Sequence, residues 1–189
     1  MSDSPSDIDV QDAIIDSLRQ LYEHDIHLIK NDANERSITH RLAVYLEQHS
    51  LFHGWHIDCE YNRNQSDIKR LRRCSTAKVP TDDLNAQTVY PDIIVHRRGT
   101  HNNLLVIEAK KSDAESSDKD IEKLRRFQQQ ENLGYEYAYA VRFGEDCPEL
   151  IQVCSTEKLE IKKIELLKDL FCNTTQMLPE EQHNLFETL

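Results

Sequence analysis

The sequence predicts an α/β protein in which a mixed β-sheet lies between layers of helix. Three observations lead to this expectation. Two amphipathic helical segments occupy the chain before residue 51. Two strand-like apolar runs, 89–98 and 102–111, then follow each other across Gly99-Thr100-His101, a turn-forming tripeptide. A helical segment separates them from another alternating run at 135–143. The order helix, helix, strand, strand, strand, helix, strand suits a sheet with helices packed against it.

The elements follow in chain order. Residues 1–6 read as a tail. From about Ile8 to Ile29, Ile14, Leu18, Leu21 and Tyr22 recur at helical spacing. The stretch NDANE interrupts this pattern and offers Asn34 as the N-cap of a second helix, which runs to about Ser50. Ile38, Leu42, Tyr45, Leu46 and His49 form its stripe. Residues 54–63, GWHIDCEYNR, alternate like a strand, and 64–88 form a polar excursion with some helix and the basic cluster KRLRR. After the strand pair, a helix from about Asp118 to Asn132 turns Ile121, Leu124 and Phe127 inward. YEYAYAVRF (135–143) is a strand and LIQVCS (150–155) a further one; 157–172 fits either period. Pro179 suits the first turn of a short terminal helix.

A chain of 189 residues has room for one domain with a substantial core. Its acidic tail and first helix cover 1–33 and its main body 34–189. No apolar stretch reaches membrane-span length and the acidic N-terminus does not resemble a secretory signal, so a cytoplasmic protein without membrane attachment is expected. Five cysteines without a Cys-x-x-Cys pair argue against a disulfide framework or a thiolate zinc site. The net charge of −11 is unevenly spread. Residues 60–111 carry 10 basic against 6 acidic groups, whereas 1–35 carry 2 against 9 and 112–189 carry 9 against 17. The middle of the chain is thus compatible with a phosphate-facing surface on an acidic body.

That middle contains NNLLVIEAKKS (102–112), where a buried-looking strand runs into alternating charges. Residues two apart share a strand face, so Glu108 and Lys110 extend the row of Leu104 and Val106, and Ala109 points the other way. Asp92 borders Ile93-Ile94-Val95 on the neighbouring run and can lie close to Glu108 across the sheet. An isolated Glu-x-Lys is compatible with an ordinary exposed ion pair at a strand end. Here it ends an apolar strand, an Asp precedes it on the adjacent strand, and Glu35 lies on the apolar stripe of the second helix. Carboxylates converging from two strands and a helix, with a lysine, are reconciled by a divalent cation among them. Hard oxygen donors favour Mg²⁺ or Mn²⁺ over zinc.

YPDIIVH followed by LLVIEAKK resembles the PD-(D/E)xK phosphodiesterase superfamily, the restriction-endonuclease-like nucleases. The resemblance covers roughly residues 34–145 and includes the order of helix with early Glu, strand, Pro-Asp strand, Glu-x-Lys strand, helix and strand. It implies a restriction-endonuclease-like α/β/α sandwich, with Asp92 and Glu108 as metal ligands, Lys110 as catalytic lysine and Glu35 as an auxiliary acid. The implied activity is metal-dependent hydrolysis of phosphodiester bonds, in DNA ahead of RNA. Mg²⁺ on Asp92, Glu108 and the Ala109 carbonyl would polarise the phosphate and acidify a bound water. Lys110 would orient that water or stabilise the charged transition state. Lys69, Arg70, Arg72, Arg73, Arg97, Arg98 and Lys111 are candidate backbone contacts or solvated surface charges. Homodimerisation through the N-terminal helix, or a partner protein, is compatible with such an enzyme.

Other chemistries have less support. His24/His27 and His53/His56 have i,i+3 spacing without an accompanying cysteine or a His-Glu-x-x-His motif. There is no Walker-type loop and no serine nucleophile elbow. The acidic net charge keeps two rivals in view: an idle nuclease-fold module that binds a protein or nucleic acid, and an acidic inhibitor that mimics nucleic acid.

Overall fold

The computed structural model describes residues 4–61, 63–64, 67–68, 70–72, 86–88, 90–111, 118–129, 133–154 and 161–164. Helix α1 (Asp7–His24) begins with a capping box, in which Ser6 Oγ accepts from Asp9 N–H and Ser6 N–H donates to the Asp9 carboxylate. The sequence suggests one helix to Ile29, but the structure breaks it at Asp25 and resumes as α2 (Ile26–Lys30). Asp25 Oδ2 accepts from Tyr45 Oη at 2.5 Å and from Arg41 Nε at 2.7 Å, which ties the break to the next helix. That helix, α3 (Glu35–Gln48), starts where expected, with Asn34 accepting from Arg36 N–H. A single 3-10 turn (Ser50–Phe52) leads into the sheet.

The main sheet contains β1 (His56–Cys59), β6 (Ile93–His96), β7 (Asn103–Lys111), β8 (Tyr137–Phe143), β9 (Glu149–Val153) and β10 (Ile161–Ile164), adjacent in that order. Strands β7 and β8 are parallel and all other neighbours antiparallel, so the sheet is mixed. The parallel pair is joined through α4 (Asp118–Gln129), the crossover that such a pair requires. Between β1 and β6 lie two small ribbons: β2 (Arg63–Asn64) with β3 (Asp67–Ile68), and β4 (Arg70–Arg72) with β5 (Ala86–Thr88). The described parts of 64–88 are therefore strand where some helix was expected. Lys69, Arg73 and the expected helix at Pro179 lie outside the described residues.

Both faces of the sheet are covered, which explains why β7 is buried continuously from Asn103 to Ala109. On one face, Val10, Ile14, Leu18 and Leu21 of α1 and Ile38, Leu42 and Leu46 of α3 cluster with Val95, Leu105, Ile107, Ala109 and Val141. On the other, Ile121, Leu124 and Phe127 of α4 cluster with Ile94, Val106, Ala138, Ala140 and Val153. The N-terminal helix thus shares a core with α3 and the sheet. Leu104 was expected beside Val106 but packs with Leu105 and Ile107. The register between β6 and β7 shifts between Val95 and His96, and this irregularity turns Leu104 to the α1/α3 side. Cys59 and Cys154 are free thiols, and no helix among the described residues is long and apolar enough to cross a membrane.

Candidate active site

Continuing the Ile93↔Ile107 register by one residue sets Asp92 opposite Glu108. The fold thus brings together the two strand positions that the sequence singles out. Asp92 is half-buried and its Oδ2 accepts from Ala109 N–H at 2.8 Å. Burial raises its pKa, and the nearby Glu35 carboxylate adds to the rise; the Ala109 N–H, Lys123 and Lys110 act against it. Ala109 itself is fully buried among the α1/α3 side chains, as its place between Glu108 and Lys110 predicts.

Glu35 occupies the first turn of α3, where a carboxylate also suits the positive end of the helix dipole. Its Oε2 accepts from Lys111 N–H at 3.2 Å, joining the helix to the end of β7. Glu35 and Asp92 line a cavity of about 340 Å³ together with Arg36, Thr39, Cys59 and Glu60. Glu60 adopts a left-handed backbone (φ 50°), unusual for a residue with a Cβ. Its N–H donates to the Asp92 carbonyl at 3.3 Å and its carboxylate meets Arg36 Nε at 2.7 Å.

Glu108 reaches toward α4. It is 3% exposed, which removes the reading of an ordinary solvated ion pair with Lys110. Its Oε2 accepts from Lys123 Nζ at 2.7 Å, and Lys123 also donates to the Tyr90 carbonyl at 3.1 Å. Glu108 Oε1 is buried with no hydrogen-bond partner among the described residues. Burial pushes the Glu108 carboxyl up to about 7, with Lys123 opposing and the Asp92 and Asp120 carboxylates reinforcing the rise. Lys110 is half-buried, close enough to lower the pKa of Asp92, and takes no hydrogen-bond or ion-pair partner among the described residues.

In chemical type these groups suit a hard divalent cation: two carboxylates, a third on α3, and one oxygen already stripped of partners. Their spacing is a different matter. No group of three or more His, Cys, Asp or Glu among the described residues is gathered closely enough to hold a metal ion. Each carboxylate is instead served separately, Asp92 by a backbone N–H, Glu35 by another, and Glu108 by Lys123. Compared with known proteins, the chain matches no protein-family model, no curated protein and no solved structure. Its own residues therefore carry the functional argument.

The remaining candidates are dispersed. Arg97 and Arg98 follow β6 while Asp92 precedes it, about 16–20 Å away along the strand at the extended rise per residue. Arg98 is paired with Asp58, and Arg97 lies over the Trp55 ring with its guanidinium carbon 4.8 Å from the centroid. Lys111 Nζ is held by Asp32 Oδ1 at 2.6 Å. Arg70 and Arg72 belong to β4, which pairs with β5 in a separate two-stranded ribbon. Lys123 was missed. Its signal lay four residues before the inward Phe127, a spacing that puts a cation on the edge of the buried stripe of α4.

Proposed function

We propose that this chain is a divalent-metal-dependent phosphodiester hydrolase of the restriction-endonuclease-like type, acting on DNA ahead of RNA. The observation that carries the reading is Glu108: a carboxylate sealed at the end of the central strand pair, opposite Asp92, with one oxygen lacking a partner. The mixed six-stranded sheet with helices on both faces supports it, as does Lys110 beside Asp92.

In this reading Asp92, Glu108 and the Ala109 carbonyl would hold Mg²⁺ or Mn²⁺, with Glu35 as an auxiliary acid. Such an ion would supply Lewis-acid chemistry there, polarising the phosphate and acidifying a water molecule. Lys110 would place an ammonium beside the charge that develops on phosphorus. The half-buried position of Lys110 limits competition from bulk water and strengthens that effect.

Cleavage of plasmid and single-stranded DNA in Mg²⁺ or Mn²⁺ tests the proposal. Activity should fall at least a hundredfold in Asp92→Ala and Lys110→Ala. Absence of cleavage under all conditions, or full activity in both variants, rejects it. One observation favours a second reading, the idle module that binds a partner protein or nucleic acid: Lys123 neutralises Glu108 internally, and no donor group is gathered among the described residues. Such a module shows no Mn²⁺ uptake that depends on Asp92 and Glu108.

A further inference from the structure

Lys123 has no catalytic role in the nuclease reading, yet among the described residues it makes the one ion pair of the most buried carboxylate of the site. The Glu108 side chain is 4% exposed and that of Lys123 is 26% exposed. A side chain partly open to solvent is thus paired with a closed carboxylate. Its backbone is fixed because Ile121, Leu124 and Phe127 anchor α4 to the sheet. Nζ spans two partners, Glu108 Oε2 and the Tyr90 carbonyl, the latter two residues before Asp92. It leaves Glu108 Oε1 unserved. A single ammonium supplies one charge and satisfies one of the two carboxylate oxygens, whereas a hydrated divalent ion offers two charges and further donors to the same group.

We infer that Lys123 is a placeholder cation: its Nζ occupies the side of Glu108 that a divalent ion would take, and it withdraws when the ion binds. This inference rests on the metal-dependent reading proposed above. Lysine suits the role because its charge is compact and its stem flexible, so withdrawal toward solvent requires only rotamer changes. The placeholder also accounts for the separation of the carboxylates. While Lys123 holds Glu108 toward α4, Asp92 stays on the Ala109 N–H and Glu35 on the Lys111 N–H, so no ligating group forms among the described residues. The competing explanation is a permanent ion pair that pins α4 to β7, with no bearing on metal.

Calorimetric titration of the full chain with Mn²⁺, supported by electron paramagnetic resonance of the free ion, separates the two. Lys123→Met and Lys123→Gln should bind Mn²⁺ at least about tenfold more tightly than the wild type, and Glu108→Gln should lose binding. Lys123→Gln keeps a hydrogen-bond donor and serves if Lys123→Met does not fold. Thermal unfolding adds a readout independent of activity: Mn²⁺ should raise the midpoint of Lys123→Gln by more than that of the wild type. Equal affinities within twofold, or weaker binding in both Lys123 variants, overturn the placeholder and leave the metal reading standing. No uptake by any variant overturns both.

Discussion

Glu108 should make the metal-free protein lose stability as pH rises through a defined window. Its carboxyl is 3% exposed, and burial lifts its pKa from the ordinary 4.5 to about 7. In the unfolded chain the proton leaves near pH 4.5; in the native protein it stays until about pH 7. Between those values the native state binds more protons than the unfolded state, so stability declines with rising pH. The stabilisation from the retained proton is fully present below pH 4.5 and is lost once pH passes about 7. The interval corresponds to about 3 kcal/mol at full extent. Glu108→Gln preserves the shape and cannot ionise, so it should flatten this dependence. Loss of the Lys123 pairing offsets part of the gain, though an ammonium on a side chain 26% exposed can turn toward water. Urea unfolding in EDTA from pH 5 to 8.5, followed by Trp55 fluorescence and circular dichroism, measures the difference. Relative to the wild type, Glu108→Gln should become progressively more stable across the window. A difference that stays constant within about 0.5 kcal/mol, or moves the opposite way, refutes the reasoning.

Three further outcomes are expected. Lys110→Ala should leave the thermal midpoint within about 1 °C of the wild type while cleavage collapses, because Lys110 makes no hydrogen bond or ion pair among the described residues; a large drop in midpoint would show a structural role. Asp58→Asn should cost about 1–3 kcal/mol in denaturant unfolding at pH 7, since Asp58 joins Arg98 to the buried His96 at 2.8 Å. These partners hold the Asp58 pKa below its ordinary 3.8 despite burial, so its contribution is present above that value and is lost as pH falls through the depressed native value. Gly144→Ala should destabilise by about 1–3 kcal/mol, because its Cβ would lie 2.5 Å from the Cys147 carbonyl oxygen and disturb the Tyr22 hydroxyl bond to Gly144. An unchanged thermal midpoint refutes that account.

Much of the fold was legible in local pattern. The stripes of α1, α3 and α4, the cap at Asn34 and the apolar runs of β6 and β7 follow from residue spacing and turn chemistry. What escaped depends on distant residues. The break at Asp25 reflects bonds to Arg41 and Tyr45 on another helix, and no local breaker marks it. The position of Leu104 depends on a register shift against His96. In the site, the convergence of positions 92 and 108 was legible because two adjacent strands must pair. The partners of the carboxylates were not, because backbone N–H groups and Lys123 are chosen by tertiary packing.

Those partners distinguish what folding needs from what it does not. Asp92 caps the Ala109 N–H and Glu35 caps the Lys111 N–H, so each carboxylate has a structural use at a strand or helix end. Glu108 serves no backbone N–H among the described residues and pairs only with Lys123. It continues the Val106 side of β7 toward α4, where an apolar residue would pack without a charge to neutralise. Replacing a buried ion pair by well-packed apolar side chains is often neutral or stabilising, so the Glu108–Lys123 pair is not explained by stability. Its burial, its orphaned oxygen and its place opposite Asp92 are the features that folding alone leaves over. Glu108 is therefore the residue at which function and folding separate, and exchanging it for glutamine is the most informative substitution in the site.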